Sequence, residues 1–413
     1  MYKRIAGTKD ILPDEVVLWQ QIEQTIRQVF SLYNYKEIRP PVIEDAALFN
    51  RSLGESAEIV QKQMFLIHNK EDTYALRPEG TASVVRSYIE NNLDKTNGFL
   101  KLYYVGPMFR FERPQKGRLR QFHHIGCEVI GSLDPDLDVE VISLANTLLT
   151  RFGISGYKIK INSLGCQKDK AKFNTNLQSA LKDKINALCE DCQVRYQKNP
   201  LRILDCKNEE CQKIVRGLDI YETYLCPECK DHFAKVREGL DVLKVNYEVV
   251  PYLVRGLDYY TGTVFEISHP DLGAQDALGA GGRYNNLVKE LGGPDLGAIG
   301  FAFGVERLLL CMQNAAVKTQ KSNLVYIISL GQTARKETIK LLDLLRKNDI
   351  IADIDYENKS LKAAMRKAND LGAKFVLIVG DDELKKGVVM LKDMQKGEQK
   401  EVNFSDLLKE LKC

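Results

Sequence analysis

A charged, hairpin-like stretch near residue 110 constrains the fold of this chain more than any other feature. Residues 106–128 have the sequence GPMFRFERPQKGRLRQFHHIGCE and follow an apolar, strand-like run. We predict two strands, 99–106 and 118–130, joined by the charged turn RPQKG. Spaced arginines on such a hairpin can bind one polyanion, because each guanidinium group forms paired hydrogen bonds with phosphate. A solvated surface hairpin is the alternative, since runs of charge are common on protein surfaces.

Length and composition narrow the class of protein. With 413 residues, the chain is long enough for two or three domains. Its 59 basic and 56 acidic residues give a net charge of +3, so any binding of nucleic acid must come from local patches. The N-terminal residues lack the apolar core of a signal peptide, and no apolar run is long enough to span a membrane. We therefore expect a cytoplasmic protein.

Hydrophobic periodicity predicts the elements of the N-terminal part. Apolar residues three or four positions apart predict helices at 14–33 and 136–152. Pro40 and Pro41 interrupt the strand-like run 35–43, so this run is expected at a sheet edge. The other predicted strands are 157–162, 249–254, 263–268 and 299–304, and the last of these leads into a helix at 305–313.

The middle and the end of the chain have different patterns. Between about residues 166 and 248 the apolar periodicity weakens, and six cysteines appear within the 41 residues 189–229, which indicates an inserted module. After a linker at 314–323, strands and helices alternate. This alternation predicts a small α/β domain with a largely parallel sheet.

Three further segments combine glycine with charged and aromatic residues. They are LVRGLDYYTGTVFE at 253–266, LGAGGRYNNL at 278–287 and GAIGFAFGVERLLL at 297–310. Each has an ordinary explanation when taken alone, such as a β-bulge or strand–helix packing.

Taken together and in this order, the segments resemble the histidyl-tRNA synthetase family of class II aminoacyl-tRNA synthetases. EIRPPVIED, GPMFRFERPQKGRLRQFH and GFAFGVERLLL are similar to motifs 1, 2 and 3 of the class. RPEGT, LVRGLDYYTGTVFE and GGRY resemble the segments specific to the histidine enzymes. The resemblance covers essentially the whole chain.

The resemblance implies a fold and a division into domains. The fold class is α+β, with a six-stranded antiparallel sheet flanked by helices in a catalytic core over residues 1–165 and 249–315. An inserted, mostly helical module over 166–248 carries the cysteine pairs, and an α/β anticodon-binding domain spans 323–413. The family also implies a homodimer, with motif 1 as the dimer strand.

The reaction implied by the resemblance has two steps. ATP, with Mg²⁺ on its phosphates, activates L-histidine to histidyl-adenylate with release of pyrophosphate, and the histidyl group then moves to the 3′ end of histidine tRNA. Arg110 and Arg255 are the implied catalytic residues, on opposite sides of the reacting groups. Arg113 and Gln115 are the implied contacts to the tRNA acceptor end. The implied ATP-binding residues are Arg110, Glu112, Arg118, Phe122 and Arg307.

The predicted histidine pocket can be explained by the hydrogen-bonding groups of the imidazole ring. A neutral imidazole offers one donor and one acceptor nitrogen, and Glu128 and Tyr260 can serve them. His124 stands where the family usually has Gln, and Asn285 follows GGRY where Asp is common. A protonated His124 would repel the substrate ammonium, so we expect activity to fall more steeply at acid pH than in His124→Gln. The implied histidine-binding residues are Glu79, Gly80, Thr81, Arg110, His124, Glu128, Arg255, Tyr259, Tyr260 and Tyr284.

The cysteines of the predicted insert suggest a metal. Two CxxC pairs, Cys189 with Cys192 and Cys226 with Cys229, can supply four thiolates to one structural Zn²⁺. Cys206 and Cys211 are alternative ligands, and His232 is a further substitute. Reduced thiols in a small helical module are the alternative explanation.

A regulatory protein is the main alternative function. Bacteria have a synthetase-like, non-catalytic subunit of the ATP phosphoribosyltransferase of histidine biosynthesis. Such proteins tend to lack the RGLDYY string, parts of the motif 2 loop and the anticodon-binding domain. This chain has all three features, which favours the synthetase.

Overall fold

The chain divides into two compact units, Met1–Ala316 and Val317–Cys413. The computed structural model describes residues 2–54, 57–218, 220, 224–273, 276–312, 323–357 and 360–412. Of the linker predicted at 314–323, only residue 323 is among the described residues. Among the described helices, none combines the length and the apolar composition needed to cross a bilayer.

The two longest strands of the first unit are those of the predicted hairpin, with 10 residues each. They are β1 (Lys36–Glu37), β2 (Ile43–Asp45), β3 (Phe65–Asn69), β4 (Asp72–Leu76), β5 (Leu100–Phe109), β6 (Gln121–Ile130), β7 (Lys158–Ser163), β8 (Glu248–Val249), β9 (Thr261–Ser268), β10 (Ala277–Arg283) and β11 (Ala298–Gly304).

Its helices are distributed along the whole unit. They are α1 (Pro13–Leu32), α2 (Ala46–Leu53), α3 (Thr81–Glu90), α4 (Leu93–Asn97), α5 (Asp136–Arg151), α6 (Gln167–Leu181), α7 (Glu190–Lys198), α8 (Glu209–Arg216), α9 (Pro227–Val242), α10 (Leu287–Glu290) and α11 (Val305–Met312). Short 3₁₀ turns at Lys182–Ala187, Pro200–Ile203 and Pro270–Leu272 and a π turn at Ile59–Gln63 connect some of them.

The central sheet has eight strands, so the predicted number of six is wrong. Its order is β1-β5-β6-β11-β10-β9-β7-β8. The six inner strands are antiparallel throughout, as predicted. The two additional strands are two-residue segments that pair in parallel at the edges, β1 on β5 and β8 on β7. Pro40 and Pro41 follow β1 and limit its length, because proline has no N–H group to pair.

One other sequence prediction fails in this sheet. The run 249–254 forms only the short strand β8, because Val250 to Leu253 turn away and Asn162 binds two backbone carbonyls of this turn. The glycine-rich LGAGGR segment is a strand, β10, with register shifts against β9 at both ends. A separate three-stranded sheet, β2-β4-β3, packs beside the core.

Alternation along β6 gives the central sheet two different faces. Ile125, Cys127 and Val129 point into a core that α1, α5 and α9 complete. His124, Gly126 and Glu128 therefore point to the opposite face, where the candidate site lies. Between β7 and β8 the chain forms the helices α6 to α9, and we call this helical segment the insert.

The second unit is a five-stranded sheet with helices. Its strands are β12 (Val325–Leu330), β13 (Ala352–Ile354), β14 (Phe375–Gly380), β15 (Val388–Asp393) and β16 (Gln399–Asn403), and its helices are α12 (Gln332–Lys347), α13 (Leu361–Asp370), α14 (Asp381–Lys386) and α15 (Leu407–Lys412). The order β13-β12-β14 is parallel, whereas β14-β15-β16 is antiparallel. The α/β class is therefore confirmed, but the sheet is mixed and not largely parallel.

A buried ion pair ties β10 to the start of α5. Arg283 is 1% exposed, and its Nη2 lies 2.6 Å from Oδ2 of Asp138, which is 0% exposed. The guanidinium also donates to the carbonyls of Ser132 (3.0 Å) and Asp134 (2.5 Å). All the hydrogen bonds of a charge this deeply buried must come from protein, because water cannot reach it.

We predict that Arg283→Met destabilises the first unit by about 3–5 kcal/mol, because it leaves the Asp138 charge buried without its main partner. Denaturant unfolding followed by the fluorescence of Trp19, the single tryptophan, measures this unit. Lys289→Met removes an ion pair whose side chains are 65% and 67% exposed, and should cost less than about 1 kcal/mol. A similar loss of unfolding free energy in both variants would contradict the prediction.

Candidate active site

A cavity of about 340 Å³ lies on the β6 face that carries His124 and Glu128. Most of the residues predicted from the sequence meet around it. They are Glu79, Thr81, Arg110, Glu112, Arg118, Phe122, His124, Glu128, Arg255, Tyr259, Tyr260, Tyr284 and Arg307. The cavity thus combines buried carboxylates, phenols and guanidinium groups in one space.

The Glu128 carboxyl group is the most deeply buried acid of the cavity. It is 1% exposed and accepts hydrogen bonds from three hydroxyl groups. Thr81 Oγ1 lies 2.7 Å and the Tyr104 hydroxyl 3.4 Å from Oε1, and the Tyr284 hydroxyl lies 2.6 Å from Oε2. Burial raises the pKa of Glu128 to about 8 despite these hydrogen bonds, because desolvation disfavours the carboxylate.

Two glycines make room for this arrangement. Gly300 lies directly opposite Glu128 on β11, and a Cβ atom built there would overlap the Glu128 carboxylate. Gly126 lies opposite Tyr104, and a Cβ atom there would overlap the phenol ring. Larger residues at either position would displace a group that contacts the cavity.

A second carboxylate lies at the start of α3. Glu79 Oε2 accepts from the Thr81 backbone N–H at 2.6 Å, and Oε1 accepts from the Ala82 N–H at 2.8 Å. Burial raises the pKa of Glu79, while these backbone donors oppose the rise. Gly80 lies between Glu79 and Thr81 and packs closely against the Tyr104 ring. An ammonium group in the cavity would find a partner in Glu79.

Guanidinium groups form the opposite side of the cavity. Arg110 donates through Nε to the Pro78 carbonyl at 2.9 Å and lies 5.3 Å from the centre of the Phe122 ring. Burial lowers the pKa of Arg110 and of Arg307, and the nearby charge of Arg118 lowers both further. Mutually repelling cations that are held together in a pocket are suited to a polyanion, whose binding would relieve the repulsion.

Arg255 approaches the cavity from the segment before β9. Its Nη1 lies 2.5 Å from Oε2 of Glu266, which was not predicted from the sequence. Arg255 Nε is buried and has no hydrogen-bond partner within the described chain. Burial disfavours this cation, yet the pairing with Glu266 leaves the pKa of Arg255 raised. The unpaired N–H is available to an anionic or carbonyl group of a ligand.

The loop between β5 and β6 joins the hairpin to α11. Arg118 Nε lies 3.1 Å from Glu112 Oε2, and Arg307 donates to the Gly117 carbonyl at 3.0 Å. Arg113 and Gln115 are exposed at the tip of this loop and do not line the cavity. They remain predicted tRNA contacts.

His124 differs from the expectation drawn from the sequence. It lies beside Phe122, with ring centres 5.0 Å apart, and its Nδ1 has no hydrogen-bond partner among the described residues. Burial and the charges of Arg110 and Arg77 lower its pKa to about 3. The acid-side penalty expected from a protonated His124 stays a prediction, and the lowered pKa argues against it because it favours the neutral imidazole. The substitution at Asn285 is also accommodated, since its Oδ1 accepts from the Ala298 N–H at 3.2 Å.

The cysteines form two clusters and not the single predicted set. The first contains Cys189, Cys192, Cys206 and Cys211, and the second contains Cys166, Asp169, Cys226 and Cys229. Within each cluster the candidate ligand atoms lie within 4.8 Å of one another. The predicted combination of the two CxxC pairs fails because α6 brings Asp169 to Cys226, whose backbone N–H donates to its Oδ1 at 3.1 Å. His232 lies elsewhere, 3.4 Å from Asp138.

Sequence reasoning missed Tyr104 and Glu266. Their positions depend on strand register: Tyr104 faces Gly126, and Glu266 faces Ala280 on β10 and Lys160 on β7. The hairpin offered a usable signal, because a tyrosine opposite a glycine can lean over it toward the acid two residues farther along. For Glu266 no comparable local signal exists.

The first unit combines an antiparallel sheet, the motif 2 arginines, the strand and helix of motif 3 and a buried acid at the centre of the sheet. These features define a class II aminoacyl-tRNA synthetase. The family model described as histidyl-tRNA synthetase matches residues 7–308, and an anticodon binding domain matches 324–413. The chain belongs to the histidyl-tRNA synthetase family.

Relatives and solved structures agree with this assignment. A histidine–tRNA ligase from Halothermothrix orenii is 46% identical over 408 residues, which cover 98% of this chain and 97% of the relative. The crystal structure of apo S. aureus histidyl-tRNA synthetase superposes with a TM-score of 0.83 at 37% identity, with 100% of both chains covered. An ATP phosphoribosyltransferase regulatory subunit/histidyl-tRNA synthetase from Bacillus halodurans shares the fold at 22% identity and a TM-score of 0.67, covering 92% of this chain and 98% of that one.

The raised pKa of Glu128 predicts a pH-dependent stability. The folded chain holds this proton more tightly than the unfolded chain, so stability falls as the pH rises from about 4.5 to about 8. We expect Glu128→Gln to lose less unfolding free energy than the wild type between pH 5.5 and pH 8.5. Denaturant unfolding at both pH values measures the difference. The control Glu90→Gln, at a side chain that is 66% exposed, should show the same pH dependence of the unfolding free energy as the wild type. The same pH dependence in Glu128→Gln would contradict the raised pKa of Glu128.

The lowered pKa of His124 predicts that its ring keeps the same protonation state between pH 8 and pH 4.5. The chain has five histidines, and comparison of NMR spectra of the wild type and His124→Gln assigns the His124 ring signals. These signals should not shift between pH 8 and pH 4.5, because the ring pKa is about 3. A midpoint near pH 6 would show that the ring is hydrated and protonates normally.

Proposed function

We propose that this chain is a histidine–tRNA ligase, which activates L-histidine with ATP and transfers it to histidine tRNA. The observation that carries the proposal is the buried Glu128 at the base of a cavity that arginines line on its other side. Family membership supports the same activity, since the full-length relatives are histidine–tRNA ligases.

Glu128 and Tyr260 are the proposed contacts to the imidazole ring. The carboxyl group can accept from one ring nitrogen, and the buried phenol of Tyr260 can serve the other. Tyr259 and Tyr284 pack beside them, with ring centres 5.7 Å apart, and give the pocket apolar walls. Glu79 and Thr81 are the proposed partners of the substrate α-amino group, and neutral His124 is a further candidate acceptor for it.

Arg110 and Arg255 are the proposed catalytic residues. The histidine carboxylate attacks the α-phosphorus of ATP and pyrophosphate leaves, so charge builds on the phosphate oxygens. Preorganised guanidinium groups stabilise such charge without reorganisation. Phe122 and Glu112 are proposed for the adenine ring and its amino group, and Arg118 and Arg307 for the distal phosphates. Mg²⁺ bound with the β- and γ-phosphates would offset the remaining charge.

The tRNA contacts and the assembly are further parts of the proposal. Arg113 and Gln115, on the exposed loop, are proposed to contact the acceptor end, and the domain over 323–413 the anticodon. We retain the proposed division into a core over 1–165 and 249–315 and an insert over 166–248. A homodimer through the motif 1 region and a cytoplasmic location complete the proposal.

The regulatory subunit remains the alternative to be tested. The relatives at 44–47% identity over nearly the full length are named histidine–tRNA ligases. All the residues proposed for adenylation except Gly80 also line the cavity. Both observations favour the ligase.

Amino-acid-dependent ATP–pyrophosphate exchange tests the function directly. Exchange should occur with histidine and with none of the other nineteen amino acids, and purified histidine tRNA should then accept the histidyl group. Absence of exchange from folded protein would favour the regulatory subunit. Exchange with another amino acid would refute the pocket assignment.

Arg255→Met should reduce the exchange rate by roughly 10²–10³-fold, the usual effect of removing one preorganised charge-stabilising donor. Arg151→Met provides a matched control, because Arg151 is exposed at the end of α5 in the same unit. Equal rates in the two variants would exclude a catalytic role for Arg255.

A further inference from the structure

We propose that Cys189, Cys192, Cys206 and Cys211, here called the four-cysteine cluster, bind one structural Zn²⁺ ion that fixes one wall of the cavity. The ligand set differs from the one suggested by the two CxxC pairs. The metal site itself is independent of the proposed function, whereas its effect on histidine activation rests on that function.

The sulfur positions fit a tetrahedral ion. All four Sγ atoms lie within 4.8 Å of one another, and those of Cys189 and Cys206 are 3.7 Å apart. Tetrahedral zinc with Zn–S bonds of about 2.3 Å separates its sulfur ligands by about 3.8 Å. The four thiols are therefore arranged around a common centre with little rearrangement needed for binding.

Hydrogen-bond donors surround these sulfur atoms. The Cys189 N–H donates to Cys211 Sγ at 3.2 Å, and the Asn208 N–H donates to Cys206 Sγ at 3.4 Å. Arg195 Nη1 lies 3.9 Å from Cys192 Sγ. Zinc with four thiolates carries a net charge of −2, and N–H groups and a guanidinium stabilise that charge. Neutral thiols that merely fill an apolar core would not require such donors.

Local structure explains why these four cysteines meet. Cys189 is the N-cap residue of α7 and Cys192 lies in the first turn of that helix. Cys206 and Cys211 flank Asn208, which caps α8 through hydrogen bonds to the N–H groups of Glu210 and Cys211. Each pair therefore lies at the positive end of a helix, where thiolates are favoured.

The second cluster has a different explanation. Asp169 Oδ1 accepts from the Cys226 N–H at 3.1 Å, and Oδ2 accepts from the Cys166 N–H at 3.3 Å. One carboxylate thus binds the N-cap residues of both α6 and α9, and this double contact accounts for the approach of Cys166 and Cys226 to Asp169. The second cluster consequently offers matched control cysteines within the same insert.

The four-cysteine cluster is connected to the cavity through its neighbours in sequence. Asp205 and Lys207, on either side of Cys206, line the cavity. Arg202 Nη2 and Asn199 Nδ2 bind Asp258 Oδ1 at 3.0 Å and 3.1 Å. Asp258 belongs to the RGLDYY segment, which also carries the proposed catalytic arginine and the proposed imidazole contact. Loss of the ion would therefore release a wall of the cavity and loosen the support of this segment.

Metal content of the full-length protein tests the site. Protein purified without chelator should contain about one zinc per chain, as a single four-thiolate site requires. Cys206→Ser should lose this zinc, whereas Cys229→Ser should retain it. Absence of zinc from the wild type would overturn the proposal. Loss of zinc from Cys229→Ser, together with its retention in Cys206→Ser, would also overturn it.

Cobalt substitution provides a test that needs no variant. Co²⁺ exchanged into the wild type should show the thiolate charge-transfer band and the intense visible bands of a tetrahedral four-sulfur site. Absence of these bands in protein that binds Co²⁺ would overturn the ligand set even if the cysteine variants fail to fold.

The link to the cavity has a separate readout. Removal of zinc should expose the insert to limited proteolysis and raise the KM for histidine at least severalfold, with both effects reversed by added Zn²⁺. Proteolysis and metal content do not depend on the proposed function, so they remain informative if no exchange activity is found. If zinc removal exposes the insert to proteolysis but leaves the KM for histidine unchanged in an active enzyme, the ion does not fix a wall of the cavity, and this part of the proposal is refuted.

Discussion

The burial of one carboxyl group, that of Glu128, is the constraint on which the site depends. Desolvation disfavours its charged form, and only the hydroxyl groups of Thr81, Tyr104 and Tyr284 compensate within the described chain. These donors come from α3, from β5 and from the residue directly after β10, so the geometry of the carboxylate requires all three to be in place. Gly126 and Gly300 leave the space that this arrangement occupies.

Backbone carbonyls position the cations around this acid. Arg110, Arg307 and Arg77 donate to the carbonyls of Pro78, Gly117 and Pro40, among others. Such bonds hold guanidinium groups in place without neutralising them, which leaves positive charge available for a ligand. Arg118 and Arg255 differ from these three, because Glu112 and Glu266 pair with them, and the Nε of Arg255 is buried without a partner in the described chain.

Strand periodicity predicted five of the six inner antiparallel strands, and the order of the motifs predicted 13 of the residues that line the cavity, because periodicity and motif order are local or serial features. Tyr104 was missed although the hairpin register offered a signal for it, whereas Glu266 could not be found in this way, since its position follows from its register with β10 and with the distant β7. The cysteine sets were misassigned because spacing cannot reveal that Asp169 joins α6 to α9. The lowered pKa of His124 depends on burial and on the charge of Arg110, neither of which is visible in the residue itself.

The central claim is that Glu128 and Tyr260 recognise the nitrogens of an imidazole ring. The most direct test is the ratio of kcat/KM in ATP–pyrophosphate exchange for histidine and for β-(2-thienyl)alanine, which has a similar ring without nitrogen. The account predicts a ratio of roughly 10⁴–10⁵ in the wild type, because buried polar partners would be left unpaired, and a much smaller ratio in Glu128→Gln. A wild-type ratio below about 10², the level reached by shape selection alone, would contradict it.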